Sequence, residues 1–491
     1  MIRSIRKYIP KQCFHSSVFQ LQQLPPHKDG LYFGKYTKEE YEDAKKIIQD
    51  QISKLETEIK GDYNIRENID KFKPFPETGP STGKISNLTD FFKNTIKLTG
   101  PISLSAFMRQ CLTHPEFGYY TTRDPLNLKT GDFITSPEIS SVFGEMLGIW
   151  YFTTWQSQNR PKQMRFIEFG PGKGTLINDI LLTFNKLIRK VQGDVKIKII
   201  MIEASNVLRK EQWKLLCEES NAFETTEEGF NRSVTKWNND IVWMDTEKSI
   251  KKDETGQIAN YIISHEFFDA LPIKSFIKQD DNTWRELVVE NSELVENKLG
   301  IEGSEETKDF DVDFHLTISP KETPSSMIPK LSKRYKDLPV GTRIEICPDA
   351  ELYIMKMVQL LNENNGAVLV VDYGTTASVP ENSLRGIYKH KFVSPFYKPG
   401  DVDLSIDVDF GNLVKLTESL SQVFGPLNQG DWLHNIGIGY RIDQLIKSTT
   451  DESKQDKIYE SYKRLTDDEQ MGKIYKFLAL LPKGSKKPIG F

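Results

Sequence analysis

Four short runs in this 491-residue chain are apolar on consecutive residues instead of alternate ones: Arg165-Phe166-Ile167-Glu168-Phe169, Ile197-Lys198-Ile199-Ile200-Met201-Ile202, Tyr261-Ile262-Ile263 and Ala367-Val368-Leu369-Val370-Val371. A strand with one wet face alternates apolar and polar side chains, so these runs predict strands covered on both faces. Residues 175–190 carry a helical apolar period between the first two. Strands alternating with helices predict an α/β fold around a mostly parallel sheet. Residues 274–349 interrupt the alternation: 276–290 reads as a hairpin around Asp280-Asp281-Asn282, and the acidic run 302–313 reads as a solvated loop.

Residues 88–160 read as helices with loops, including a helix over 103–112. A longer one starts near Pro137 and carries Val142, Phe143, Met146, Leu147 and Trp150. Before them, Thr37-Lys38-Glu39-Glu40 has capping-box form and opens a charged helix with a narrow stripe of Tyr41, Ala44, Ile48, Leu55 and Ile59. Pro74, Pro76 and Pro80 mark a linker. The first 24 residues hold Arg3, Arg6, Lys7 and Lys11 and no acid, with Ile2, Ile5 and Ile9 along one stripe. That composition predicts a mitochondrial presequence, as against a secretory signal; an untargeted basic start is the alternative. The expected organisation is a presequence (1–24), a charged extension and linker (25–87), a helical part (88–160) and a core (161–491) with an insert at about 274–342.

Charge and cysteine usage narrow the partners. The formal net charge of −4, near −8 once four presequence cations are removed, calls for no nucleic-acid face. Uncharged stretches fall short of the ~18 apolar residues a membrane span needs. Cys13, Cys111, Cys217 and Cys347 are widely spaced, without a C-x-x-C or a Cys/His cluster, so neither disulfides nor a metal site is expected.

The strand over 165–169 runs into Gly170-Pro171-Gly172-Lys173-Gly174, just before the helix. Glycines at a strand-to-helix turn let the backbone approach a ligand, and the helix start offers free N–H groups. A dinucleotide fingerprint wants G-x-G-x-x-G/A, but its last position is Thr175. The run is G-x-G-x-G after an acid, Glu168, which is the pattern of enzymes that bind S-adenosylmethionine. A tight turn without a ligand is the bland alternative. Glu203 ends the second strand, where a carboxylate can accept both ribose hydroxyls. Asp245, after a third strand at Val242-Trp243-Met244, is a candidate for the adenine amino group or an ordinary loop acid. The strand over 261–263 exits into Ser264-His265-Glu266-Phe267-Phe268-Asp269-Ala270-Leu271-Pro272. Two acids beside two aromatics make an expensive site without a partner, so Glu266 and Asp269 are read as holding a cationic nucleophile rather than as a solvated acid and a turn cap.

At this point the sequence resembles the MidA-like family. The resemblance rests on Pro101-Ile102-Ser103, His114-Pro115-Glu116-Phe117-Gly118-Tyr119-Tyr120, Gly131-Asp132-Phe133-Ile134-Thr135-Ser136-Pro137-Glu138, the glycine run, the 265–272 segment, Val371-Asp372-Tyr373-Gly374, Leu384-Arg385-Gly386, Asp403-Leu404, Val408-Asp409-Phe410, Gly430-Asp431-Trp432-Leu433 and Met471-Gly472-Lys473-Ile474-Tyr475. It covers about 88–481 and departs from the family in the N-terminal extension, the insert before Arg343 and 385–388.

The resemblance implies a class I, Rossmann-like S-adenosylmethionine-dependent methyltransferase sheet, with an N-terminal helical segment and an inserted substrate-facing region. It further implies symmetric dimethylation of arginine on a core iron–sulfur subunit of complex I, in the mitochondrial matrix, in support of complex I assembly. Homo-oligomerisation is left open. Glu266 is then the first candidate for a guanidinium clamp and Asp269 the second, with His265 as proton relay or neutral structural histidine. Glu168, Gly170, Gly172, Gly174, Glu203 and Asp245 are the cofactor-binding candidates. Gly131, Asp132, Ser136 and Glu138 are candidates for a lid or substrate channel, against the plain alternative that Ser136 caps a helix. A nicotinamide oxidoreductase is argued against by Thr175 and by the absence of a suitable acid ~20 residues beyond the glycines. A non-catalytic assembly scaffold that binds S-adenosylmethionine stays open.

Overall fold

The protein is described by a computed structural model over residues 86–122, 135–191, 195–280, 283–294 and 312–491. The expected presequence, the helix at 37–60, the linker prolines, Gly131, Asp132 and most of the acidic run lie outside the described residues.

The central sheet contains β1 (Gln163–Phe169), β2 (Lys196–Ile202), β3 (Asp240–Met244), β4 (Ile258–His265), β5 (Gly366–Thr375), β6 (Gln422–Asn428) and β7 (Tyr475–Leu481). Their spatial order is β6-β7-β5-β4-β1-β2-β3, with two short strands, Asn231–Val234 and Glu224–Thr225, beyond β3. Neighbours among β1 to β5 run parallel, and β7 runs antiparallel to both β5 and β6. The consecutive apolar residues divide by the pleat into two cores. Phe166, Ile199, Trp243, Tyr261 and Leu369 enter one core, whereas Ile167, Ile200, Val242, Ile262 and Val368 enter the other. Helices Ser141–Ser157 and Thr175–Lys190 cover the first face, Pro348–Leu361 and Phe410–Thr417 the second. Period-2 side chains with helices on both faces leave no strand position for a polar residue except near the ends.

The hairpin read at 276–290 is present as Lys274–Lys278 against Trp284–Asn291, with Phe276 opposite Glu286. Phe314–Ile318, Arg343–Ile346 and the two-residue strand Ile102–Ser103 complete a five-stranded sheet. Its core draws on Phe107, Cys111 and Leu112 from the helix Leu104–Thr113, on Leu287, Val289 and Phe314 from this sheet, and on Leu384, Phe396 and Leu404 further on. The helical part expected over 88–160 therefore divides. Leu88–Thr99 and Leu104–Thr113 pack on the insert, because Ile102–Ser103 pairs with Val288 and Val289, while Ser141–Ser157 packs on the central sheet. The long helix expected from Pro137 is also two pieces, Ser136–Ile139 and Ser141–Ser157, broken where Ser140 turns extended and its hydroxyl caps the second piece through Val142 N–H. Ser136 lies inside the first piece and does not cap it; Thr135 holds the N-cap position.

Candidate active site

Because β1, β2, β3 and β4 run parallel, their carboxyl ends lie along one edge of the sheet, the side on which open α/β sheets bind ligands. A cavity of about 310 Å³ sits there, lined by Glu168, Gly170, Gly172, Glu203, Asp245, His265 and Glu266. Its other walls come from Thr135, Pro137 and Glu138, from Arg109 and Tyr120, and from Asp349 and Tyr353. Residues far apart in sequence thus converge on one space, and Asp269 is not among them.

The glycine run is shaped by backbone requirements. Gly170, Gly172 and Gly174 have φ of 62°, 52° and 82°, the left-handed region that side chains with a Cβ avoid. A Cβ on Gly170 would also lie 2.9 Å from Phe267 Cδ2. Gln212, fully buried on the helix Asn206–Leu216, ties this loop to its neighbours. It donates to Gly172 O at 2.6 Å and to Glu203 Oε2 at 3.3 Å, and accepts from Trp243 Nε1 at 2.8 Å. Thr175 Oγ1 donates to Glu138 Oε1 at 2.6 Å, linking the start of the Thr175–Lys190 helix to the Ser136–Ile139 turn. Ser136 is buried there with its hydroxyl unpartnered.

Glu203 Oε1 accepts Ser205 N–H at 2.7 Å, and its Oε2 accepts a longer contact from Gln212. Burial pushes this carboxyl up to about 7 against those donors. Asp245 lies just past β3 with its side chain largely exposed, in an ion pair with buried Arg209. Arg209 Nε in turn donates to Glu203 O at 2.7 Å. One guanidinium therefore ties the Asp245 carboxylate to the main chain at Glu203. Glu168 is buried with Oε2 unpartnered, and burial, then the charge of Glu203, drives it well above the usual carboxylate range. A glycine cradle, an acid at the end of β2 and an unpartnered acid at the end of β1 fit a cofactor with a ribose and a cationic tail.

On the next strand, His265 ends β4 and is buried with Nε2 unpartnered; burial lowers it to about 3, so its imidazole is neutral. Glu266 follows at φ 47°, also left-handed. Its Oε1 accepts from Tyr475 Oη at 2.8 Å and lies 3.8 Å from His265 Nε2. Burial, then the neighbouring Asp269, raises Glu266 to about 8. Among the described residues no lysine or arginine forms an ion pair with it. Asp269 is buried beside it, accepts the Tyr373 hydroxyl and keeps Oδ1 unpartnered; burial raises it, and Tyr373 and Arg385 draw it back down. Sequence reasoning found Glu266 but missed Tyr475, Gln212 and Arg209, whose relevance comes only from chain that returns to the site.

Comparisons with known proteins agree with this geometry. Residues 146–427 match the family model described as "Putative S-adenosyl-L-methionine-dependent methyltransferase". The chain is 34% identical over 389 residues to the rat mitochondrial protein arginine methyltransferase NDUFAF7, covering 79% of this chain and 82% of that one. It is 32% identical over 405 residues to the human protein of the same name, covering 82% and 85%. Two crystal structures from Burkholderia thailandensis share the fold. One, of an uncharacterized protein, has a TM-score of 0.60 at 20% identity, covering 82% of this chain and 93% of that one. The other, with S-adenosyl-homocysteine bound, has a TM-score of 0.58 at 19% identity and the same coverage. The chain therefore belongs to the family of S-adenosylmethionine-dependent methyltransferases that includes the NDUFAF7 proteins, and S-adenosylmethionine is its cofactor.

Proposed function

We propose that this protein is an arginine N-methyltransferase of the mitochondrial matrix, acting on a protein substrate. The single observation that carries the reading is Glu266, a buried acid on the cavity wall whose carboxyl meets a tyrosine hydroxyl and a neutral histidine and, among the described residues, no lysine or arginine. A buried carboxylate of that kind is stabilised by a cation, and a guanidinium is a planar cation that pairs with carboxylates through paired N–H bonds. Arginine methylation in mitochondria follows the names of the relatives; symmetric dimethylation of a core iron–sulfur subunit of complex I, in support of complex I assembly, is the specific form we assign on the resemblance alone. The strand order β6-β7-β5-β4-β1-β2-β3 with an antiparallel β7 supports the class I architecture.

In this reading Glu168, Glu203 and the 170–174 backbone hold the cofactor, and Arg209 aligns Asp245 for the adenine. Bound S-adenosylmethionine supplies an electrophilic methyl group. The remaining work falls to side chains. Glu266 binds the guanidinium and draws its positive charge toward the nitrogens it touches, which leaves lone-pair density on the attacking one. Methylation makes one N–H proton surplus, and Glu266, near neutral in its affinity for protons, accepts it and passes it to solvent. Neutral His265 takes no proton near pH 7 and serves as a wall. Asp269 acts from behind as a second negative charge. Tyr120 and the Arg109–Asp349 ion pair, at 2.7 Å, line the side from which a protein arginine enters.

The test is Glu266→Gln. The variant should bind S-adenosylhomocysteine within about threefold of the parent and lose at least ~100-fold in transfer of labelled methyl to arginine in extracts of mitochondria lacking the protein. Unimpaired transfer would remove Glu266 from the clamp, and no transfer by the parent itself would favour the assembly scaffold.

A further inference from the structure

Asp372 ends the apolar stretch of β5 and is fully buried, and among the described residues no lysine or arginine forms an ion pair with it; burial, then the charges of Asp269 and Glu266, push its carboxyl well above the usual carboxylate range. Its Oδ2 accepts backbone N–H groups from Phe267 at 3.2 Å, Phe268 at 3.0 Å and Asp269 at 3.4 Å, and its Oδ1 accepts Tyr373 N–H at 3.0 Å. Successive N–H groups that converge on one oxygen form a nest, a backbone concavity suited to an anion. The residue that opens this nest is Glu266, which is still tied to the sheet by its N–H to Val371 O at 3.0 Å and turns left-handed immediately afterwards. A side chain with a Cβ adopts that conformation only where its surroundings fix it.

We propose that Asp372 is a positioning residue for methyl transfer: seated in the nest of Phe267, Phe268 and Asp269, its carboxyl group holds Glu266 in the left-handed turn that presents the Glu266 carboxylate to the cavity. The inference rests on the clamp reading of Glu266 given above. Without that acceptor oxygen the three N–H groups diverge, the strand end relaxes toward ordinary backbone angles, and the Glu266 carboxyl leaves the Tyr475 hydroxyl. Misplacement of a reacting group by about 1 Å costs on the order of 100-fold in rate. Asp372 is not among the residues that line the cavity, so cofactor binding should be spared.

The experiment uses the full chain in four forms: parent, Asp372→Asn, Glu266→Gln and the double variant. Asp372→Glu runs beside them because it keeps the carboxyl group and moves the acceptor oxygens by one methylene. S-adenosylhomocysteine affinity is measured by calorimetry, and labelled S-adenosylmethionine is used with extract of mitochondria lacking the protein, dimethylarginine being counted after hydrolysis. Asp372→Asn and Asp372→Glu should each lose about 10- to 100-fold in transfer while binding S-adenosylhomocysteine within about threefold. The double variant should be no slower than Glu266→Gln alone, because residues acting through one another are not additive. Losses that multiply in the double variant, or parental transfer by either Asp372 variant, would overturn the positioning role while Glu266→Gln stays impaired. A fully active Glu266→Gln would overturn the clamp, and this inference with it.

Discussion

Replacing Glu266 with its neutral isostere should make the protein more stable while inactivating it, and the gain should grow with pH. The carboxyl titrates near 4.5 when unperturbed and near 8 in the folded protein. The folded state thus keeps a proton that the unfolded chain releases between those values, and stability contributed by the protonated group is present below 4.5 and lost as pH rises toward 8. Linkage gives a cost to the folded state on the order of 1 kcal/mol at pH 5.5 and on the order of 4 kcal/mol at pH 7.5. Glutamine keeps the shape and the Tyr475 contact but never ionises, so Glu266→Gln should gain about 2–3 kcal/mol on the parent between the two pH values. Residual exposure, 13% for this side chain, hydrates the carboxylate and trims that figure, so the sign and the pH window carry the test. At ~2.1 cal/mol/K per residue over roughly 400 ordered residues, the difference is about 3 °C in melting temperature. Melting or urea curves of both proteins at pH 5.5 and 7.5, without ligand, measure it. A stability gap that stays flat with pH, or a variant less stable at pH 7.5, would show that Glu266 is not a buried, uncompensated acid.

Gly170→Ala adds a methyl group 2.9 Å from Phe267 at a left-handed φ; calorimetry should find S-adenosylhomocysteine affinity reduced by more than about tenfold as the loop shifts. Gln212→Ala strips hydrogen bonds from Gly172, Trp243 and Glu203, and denaturant curves should show a loss of about 2–3 kcal/mol with weakened cofactor binding. Tyr475→Phe removes the hydroxyl that favours ionised Glu266; its carboxyl should rise further, and the acid limb of the kcat/KM profile should move to higher pH.

The features legible in the sequence are those set by neighbours along the chain. Consecutive apolar residues revealed the doubly covered strands because the pleat sends alternate side chains to opposite cores, and the glycine run announced its turn because positive φ is a local demand. Glu203, Asp245 and Glu266 could be named because each directly follows or ends a buried strand. Contacts that close over long stretches left no local trace. Gln212 matters because its helix returns it to Gly172, and Tyr475 reaches Glu266 across 209 positions. Asp372 stood in a recognised motif, but only the parallel pairing of β4 with β5 puts it under the 267–269 turn. The same holds for the core of the five-stranded sheet, assembled from the first helices, the insert and residues 384–406, and for Asp269, which the spacing grouped with Glu266 but the backbone turns toward Tyr373.

The charge of the cavity bears on how the enzyme cycles. Acids outnumber bases on its wall: Glu138, Glu168, Glu203, Asp245, Glu266 and Asp349 against Arg109 and Lys173. Methyl transfer leaves arginine a cation but turns the sulfonium of the cofactor into a neutral thioether. The wall therefore gains nothing toward releasing the methylated arginine and loses attraction for the spent cofactor. One ionised carboxylate about 8 Å from the sulfonium is worth about 2 kcal/mol at an effective dielectric of 20. Glu203 and Glu266, raised to about 7 and about 8 by burial, supply that attraction only as they ionise. The ratio of the S-adenosylhomocysteine to the S-adenosylmethionine dissociation constant should accordingly rise on the order of 100-fold between pH 6 and pH 8.5. The rise should disappear in a Glu203→Gln, Glu266→Gln double variant. A ratio that ignores pH in the parent would mean that these carboxyls do not sense the sulfonium, and that the acidity of the wall serves the arginine alone.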